Sequence, residues 1–108
     1  EGSKEFVEIL ADTIPKYYSG DQTANNNAGA ALILINELSL AKRNLLNAGS
    51  NPSTLNNLGV IFLKEGDLDQ AEDLFRRALT GGISEANHNL QELQIKREDN
   101  LKLERYNK

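Results

Sequence analysis

Residues 56–79 read NNLGVIFLKEGDLDQAEDLFRRAL. The spacing predicts two short helices joined at Gly66-Asp67. Asn51 is placed to cap the first, with Pro52 at its first helical position, where a missing N–H costs nothing. Leu55, Leu58, Phe62 and Leu63 then share one helical face. Gly66 is expected to end that helix, because glycine adopts the left-handed cap conformation without a Cβ penalty. Asp67 opens the next helix with Gln70 three residues on, the spacing of a capping box. Leu68, Ala71, Leu74, Phe75 and Ala78 form its apolar stripe, and Gly81-Gly82 stops it. Gly59 and Ala71 are small enough to let the two helices approach closely.

The same pattern lies upstream. Sliding the chain by 30 residues puts Asn26-Asn27 on Asn56-Asn57, Ala28-Gly29 on Leu58-Gly59, and Leu32 on Phe62. Asn36 falls on Gly66, Leu38 on Leu68, Ala41 on Ala71, Leu45 on Phe75 and Ala48 on Ala78, without a gap. A shift of 32 puts SEANHNL (84–90) on PSTLNNL (52–58) and Leu93 on Ile61. Fixed-period similarity marks stacked helical units, none of which buries its apolar face alone.

Leu55, Leu58, Gly59, Phe62, Ala71, Phe75 and Ala78 have the types and spacing of the tetratricopeptide repeat, and residues 52–80 resemble it closely. Unit one resembles it less, through Asn25, Ala28, Gly29, Leu32, Ala41, Leu45 and Ala48. The third unit does so mainly through Leu90. Periods of 30 and 32 depart from the usual 34, and Ile83 stands where the family has its last proline. The resemblance implies an all-α fold, a right-handed superhelix of antiparallel helix pairs with about six helices. One domain, 1–108, would comprise a leading repeat helix (1–21), two repeats (22–51 and 52–83) and a partial repeat or capping helix (84–108). The run from Leu58 to Asn100 also resembles the C-terminal repeat region of outer-membrane-protein-A-like or fimbrial-operon proteins of Bacteroides-type bacteria. That implies a cell-envelope domain of a larger protein, periplasmic or outer-membrane-associated rather than cytoplasmic.

At the N-terminal end Phe6, Val7, Leu10, Ala11 and Ile14 have helical spacing. Pro15 is expected to end or kink that helix, with Tyr17, Tyr18, Gly20 and Asp21 in a turn. At the other end residues 84–106 read as a polar helix, either continuous or broken near Asp99-Asn100. A polar outer face suits a terminal cap; a partner-binding arm is the sharper reading.

Of the 108 residues, 39% are hydrophobic and 26% charged, ordinary for a soluble fold. A net charge of −4 argues against nucleic acid, which needs a surplus of Lys and Arg on one face. The chain has no cysteine, which excludes disulfides and thiolate metal sites. It also has no methionine, which suggests a processed protein or an excised domain. It shows no signal-peptide pattern. The longest apolar run, AGAALILI (28–35), is too short to span a bilayer, so no membrane insertion is expected.

Little points to chemistry. The single histidine, His88, has no ligand-spaced partners. Asp67, Asp69, Glu72 and Asp73 crowd a helix start, which the helix dipole favours, and lack the spacing of a calcium loop. No catalytic residue, cofactor or metal is assigned, and the chain reads as a non-enzyme. Asparagines recur at Asn26-Asn27, Asn56-Asn57, and Asn87 and Asn89. Their bland reading is hydrogen bonding between neighbouring helices. The sharper one follows from the resemblance, in which the first helix of each unit lines a concave groove for a protein or peptide. The groove residues would be Asn26, Ala30 and Ile33, then Asn56, Val60 and Leu63, then His88, Glu92 and Ile95. Ala30, Val60 and Glu92 stand where the family's carboxylate clamp needs polar or basic groups, so that clamp is rejected and a neutral strand or helix is expected. The alternative is a structural spacer of the parent protein with no groove ligand. Homodimerisation through the exposed terminal helix stays open.

Overall fold

Six helices follow one another in the computed structural model, which describes residues 2–17 and 21–107. They are α1 (Gly2–Tyr17), α2 (Gln22–Leu34), α3 (Leu38–Asn47), α4 (Pro52–Glu65), α5 (Leu68–Thr80) and α6 (Glu85–Tyr106). Among the described residues there is no strand, and the fold is an all-α helical repeat. Tyr18 and Gly20, expected in a turn, lie outside the described residues.

The starts and stops are set by local chemistry. Asp21, Asn51 and Asp67 each accept a backbone N–H three residues on, at 2.9, 3.0 and 3.3 Å, so three helices begin with a side-chain cap. Three of the stops share one device. Gly66 has φ +87°; its N–H donates to Leu63 C=O, and Asp67 N–H donates back to Phe62 C=O. Asn36 (φ +62°) with Glu37, and Gly82 (φ +98°) with Ile83, close the ends of α2 and α5 in the same way. The capping box expected at Asp67-Gln70 is therefore only half formed. The Asp67 side chain caps α5, but its own N–H is already committed to Phe62.

Two hairpins, α2–α3 and α4–α5, form the centre. In each, a glycine of the first helix sits against a large residue of the second. A Cβ on Gly59 would stand 2.5 Å from Phe75 Cε1, and one on Gly29 would stand 2.5 Å from Leu45 Cγ. The second helices bury the same positions thirty residues apart: Ala41, Asn44, Leu45 and Ala48, then Ala71, Leu74, Phe75 and Ala78. Neighbouring units join through the first helix of the later one, which packs on both helices of the hairpin before it. α2 packs on α4 and α4 on α6, whereas α3 and α5 do not pack on each other. The radius of gyration is 15.1 Å and the extents are 51 × 34 × 16 Å. A compact globule of 100 residues has a radius near ~13 Å, so the array is open and flat.

Two expectations need correction, and one open alternative is decided. Ile61, not Phe62, is the fully buried residue in the last turn of α4; Phe62 is half-buried, with Lys42 Nζ 4.9 Å above its ring. α4 touches α2, α3, α5 and α6, and such a helix buries a wider arc than one stripe. Of the two readings of residues 84–106, continuous or broken near Asp99-Asn100, α6 is the continuous one. Neither Asp99 nor Asn100 is Gly or Pro, and their low propensity costs only tenths of a kcal/mol per residue. Nor does α1 end before Pro15; it runs on through Tyr17.

The reason for the last lies in α3. Proline has no N–H to give the carbonyl four residues back, which here belongs to Ala11. Asn44 Nδ2 donates to Ala11 C=O at 3.2 Å, and Arg43 Nη2 adds a longer contact at 3.4 Å. Ala11 and Asn44 are both fully buried, so a bond made from another helix replaces the lost one. It also ties α1 to α3, a packing with no counterpart between α3 and α5.

Candidate functional site

The first helices of the two hairpins, α2 and α4, lie side by side with α6, and amide side chains stitch them together. Asn26 Nδ2 donates to Ser53 Oγ (3.0 Å), while Asn26 Oδ1 accepts from Thr54 Oγ1 (3.3 Å) and Asn57 Nδ2 (2.9 Å). One step further, Asn89 Nδ2 donates to Asn56 Oδ1 at 2.9 Å. Asn26, Asn56, Asn57 and Asn89 thus bond neighbouring helices. Asn26 spends both ends of its amide inside the array. Asn56 spends only its oxygen, leaving Nδ2 with no protein partner among the described residues.

The other groove residues differ in what they offer. Ala30 and Val60, thirty residues apart, are both half-buried, as is Leu63. Ile33 is buried and belongs to the core. On α6, His88 and Glu92 are exposed and face each other across one turn, Nε2 to Oε1 3.7 Å. Ile95 is also exposed. The half-buried apolar edges therefore come from α2 and α4, and α6 contributes exposed polar groups.

Charge is nearly absent from the first two of these helices. α2 (QTANNNAGAALIL) carries no ionisable side chain, and α4 (PSTLNNLGVIFLKE) has only Lys64 and Glu65, in its last turn. Glu65 is held by Lys42 at 3.0 Å. The acidic residues at the start of α5 are engaged by arginines. Arg97 Nη2 reaches Glu72 at 2.7 Å, Asp69 at 3.1 Å and Leu68 C=O at 3.4 Å. Asp73 pairs with Arg77 at 3.7 Å. The contacts of Arg97 clamp α6 onto α5. Among the described residues no three His, Asp or Glu side chains are grouped to hold a metal ion, and no helix is long and apolar enough to cross a membrane.

A polar recess of about 300 Å³ opens where α2 and α4 begin, lined by Gln22, Thr23, Asn26, Asn51 and Ser53. Only Asn26 of this set was expected at a binding face. The signal for two others was present: Thr23 and Ser53 are hydroxyl residues at equivalent positions of the two units.

The family model of the tetratricopeptide repeat matches residues 52–80, the hairpin of α4 and α5. No curated protein and no solved structure matches the chain.

Proposed function

We propose, from the premise that residues 52–80 are a tetratricopeptide repeat, a protein-interaction unit, that the α2–α4–α6 face binds an uncharged segment of a partner protein. The observation that carries this reading is the pairing of apolar edges with a spare amide donor on helices almost free of charge. Ala30, Val60 and Leu63 supply half-buried apolar edge, and Asn56 Nδ2 supplies a donor beside them. An extended segment would place side chains against the apolar edge and a backbone carbonyl against Asn56. A charged ligand finds no counter-ion on α2. His88 and Glu92 would meet the ligand at its α6 end. The role is non-catalytic binding. The resemblance of Leu58–Asn100 supports a cell-envelope parent, which fractionation of cells expressing the parent tests.

The amide ladder favours a second reading. Asn26 and Asn56 hold helices together, which is all a structural spacer requires. Displayed random peptides panned on the wild-type domain separate the two. The comparison is an Ala30→Glu/Val60→Glu variant with unchanged circular dichroism and urea midpoint. Glutamate is a good helix former, and both sites are half-buried. Enriched peptides with few charges that bind the variant at least ~10-fold more weakly, about 1.4 kcal/mol, fit groove binding. No enrichment, or equal affinity for both proteins, removes the groove and leaves the spacer.

A further inference from the structure

Most lysines and arginines of α3 to α6 are engaged with acids. Lys42 holds Glu65, Arg43 holds Asp12, Arg76 holds Glu72, Arg77 holds Asp73, and Arg97 holds both Glu72 and Asp69. Between Lys42 and Arg97 two cations stand apart from this pattern. Lys64 and Lys96 are exposed, and neither makes an ion pair or a side-chain hydrogen bond among the described residues.

The two lysines hold the same place on neighbouring helices. Lys96 follows Lys64 in the 32-residue register that aligns α6 with α4. Each lies one helical turn beyond a groove residue, Lys64 after Val60 and Lys96 after Glu92, and so on the groove face. Val60 and Glu92 are the positions where the rejected carboxylate clamp would need polar or basic groups; the lysines are not. On α2 the equivalent residue is Leu34, 87% exposed. The row across the face therefore reads Leu34, Lys64, Lys96, one aliphatic group and then two cations. Attraction to a helix C-terminus accounts for a lysine in the last turn of α4. It does not account for Lys96, in the middle of α6. Glu65, Asp67, Glu92 and Asp99 are close in sequence, and none pairs with either lysine. Glu65 is held by Lys42, Asp67 caps α5, and Glu92 lies 3.7 Å from His88 Nε2.

We propose that Lys64 and Lys96 together hold one Asp or Glu side chain of the partner segment on the α2–α4–α6 face. This rests on the groove reading and adds a charge at one end of the uncharged stretch. Packed helices lie about 8–10 Å apart, a gap that two flexible lysine stems close from both sides. Along α4, Val60 lies about 6 Å and Lys64 about 12 Å beyond Asn56. An extended segment rises about 3.3 Å per residue. Counted from the residue whose carbonyl Asn56 Nδ2 binds, the residue two along meets Val60 and the residue four along meets the lysines. Both point to the same face of the segment. The motif is an aliphatic residue and an acidic one, separated by a single residue. Glu85 and Glu92 on α6 repel a carboxylate at the other end, which sets the acidic end at the lysines.

The probes are the peptides enriched by panning on the wild-type domain in low salt, where surface charge is least screened. Each is paired with a counterpart in which its acidic residue is changed to the amide. All are titrated into the wild-type chain and into Lys64→Gln/Lys96→Gln. Both sites are exposed, glutamine keeps the helix propensity, and no contact within the chain is lost. The expected peptides share the aliphatic and acidic spacing. Neutralising either side should weaken binding at least ~3-fold, and neutralising both should cost no more than one. Enriched peptides that need Ala30 and Val60 but carry no acidic residue overturn the inference and leave the groove standing. So does an acidic residue whose loss costs as much in the lysine variant as in the wild type. Peptides indifferent to Ala30→Glu/Val60→Glu, or no enrichment, remove the groove and the inference together.

Discussion

Replacing Pro15 and Asn44 singly and together tests whether a side chain of α3 stands in for a backbone bond of α1. Pro15 cannot donate to Ala11 C=O, and Asn44 Nδ2 does so at 3.2 Å in a fully buried setting. Asn44→Leu in the wild type strips that carbonyl of its principal partner. A buried group left unsatisfied costs about 1–3 kcal/mol; Arg43 Nη2, at 3.4 Å, recovers part of this. The second bond lost, to Leu40 C=O, lies within α3 and costs little, because that carbonyl keeps its backbone partner. Leucine also removes Asn44 Oδ1, which is buried without a partner, a small gain. The net expectation is a loss of about 1–2 kcal/mol. With Pro15→Ala the N–H of residue 15 returns to Ala11, and Asn44→Leu should then be neutral or slightly stabilising. The coupling between the two sites is therefore about 1–2 kcal/mol. Urea unfolding of the four proteins, followed by circular dichroism at fixed m-value, measures it. A cycle that closes to within about 0.3 kcal/mol, the scatter of independent sites, refutes the substitution of one bond for the other.

Other positions give sharper single-site tests. Asn36→Gly should stabilise the chain by about 0.5–1 kcal/mol, because Asn36 holds φ +62° at an exposed cap; a lowered urea midpoint would contradict this. Gly66→Ala should cost about 1 kcal/mol from its φ of +87° alone, since a Cβ there meets nothing within 4 Å. Gly59→Ala should cost about 1–3 kcal/mol by overpacking against Phe75, and Phe75→Leu should recover part of that loss in the double variant. Arg97→Ala should destabilise by about 1 kcal/mol through loss of its contacts to Glu72 and Asp69. A chain stopped after Leu101 should keep its urea midpoint, because residues 102–107 are all exposed.

The thirty-residue register made most of the architecture legible. Ala41 and Ala71, Leu45 and Phe75, and Ala48 and Ala78 pair by sequence, and all six are fully buried. Asn36 aligns with Gly66, and both take positive φ. Such positions are legible because the constraint acts on the residue itself: a close approach needs a small side chain, and a left-handed cap needs Gly or Asn. Of the two outcomes expected at Pro15, an end or a kink, the end does not occur, because a local rule counts only the donors of its own helix and the donor that serves Ala11 comes from Asn44, 33 residues further along the chain. Ile61 was missed for a related reason. Its burial depends on neighbours that one helical stripe does not encode.

The same distinction bears on the candidate groove. Sequence picked out Asn26 and Asn56 as equivalent, yet Asn26 is closed off by three partners while Asn56 keeps a donor free. The difference arises one register away. Asn26 faces Ser53, Thr54 and Asn57, whereas the residues at those positions on α6 are Glu85, Ala86 and Asn89. Only Asn89 offers Asn56 an amide, so the second rung is thinner than the first. An array of identical rungs would be more rigid and would present no unspent donor. The loss of two hydroxyl groups from the start of α6 therefore weakens the joint between α4 and α6 and leaves Asn56 Nδ2 available at the same place. Ala86→Thr restores the missing hydroxyl at the position equivalent to Thr54. Ala86 is fully buried, so the hydroxyl must find Asn56 to be tolerated. If it does, hydrogen exchange at the start of α6 should slow; a faster exchange there would show that the thin rung reflects packing and not a missing partner.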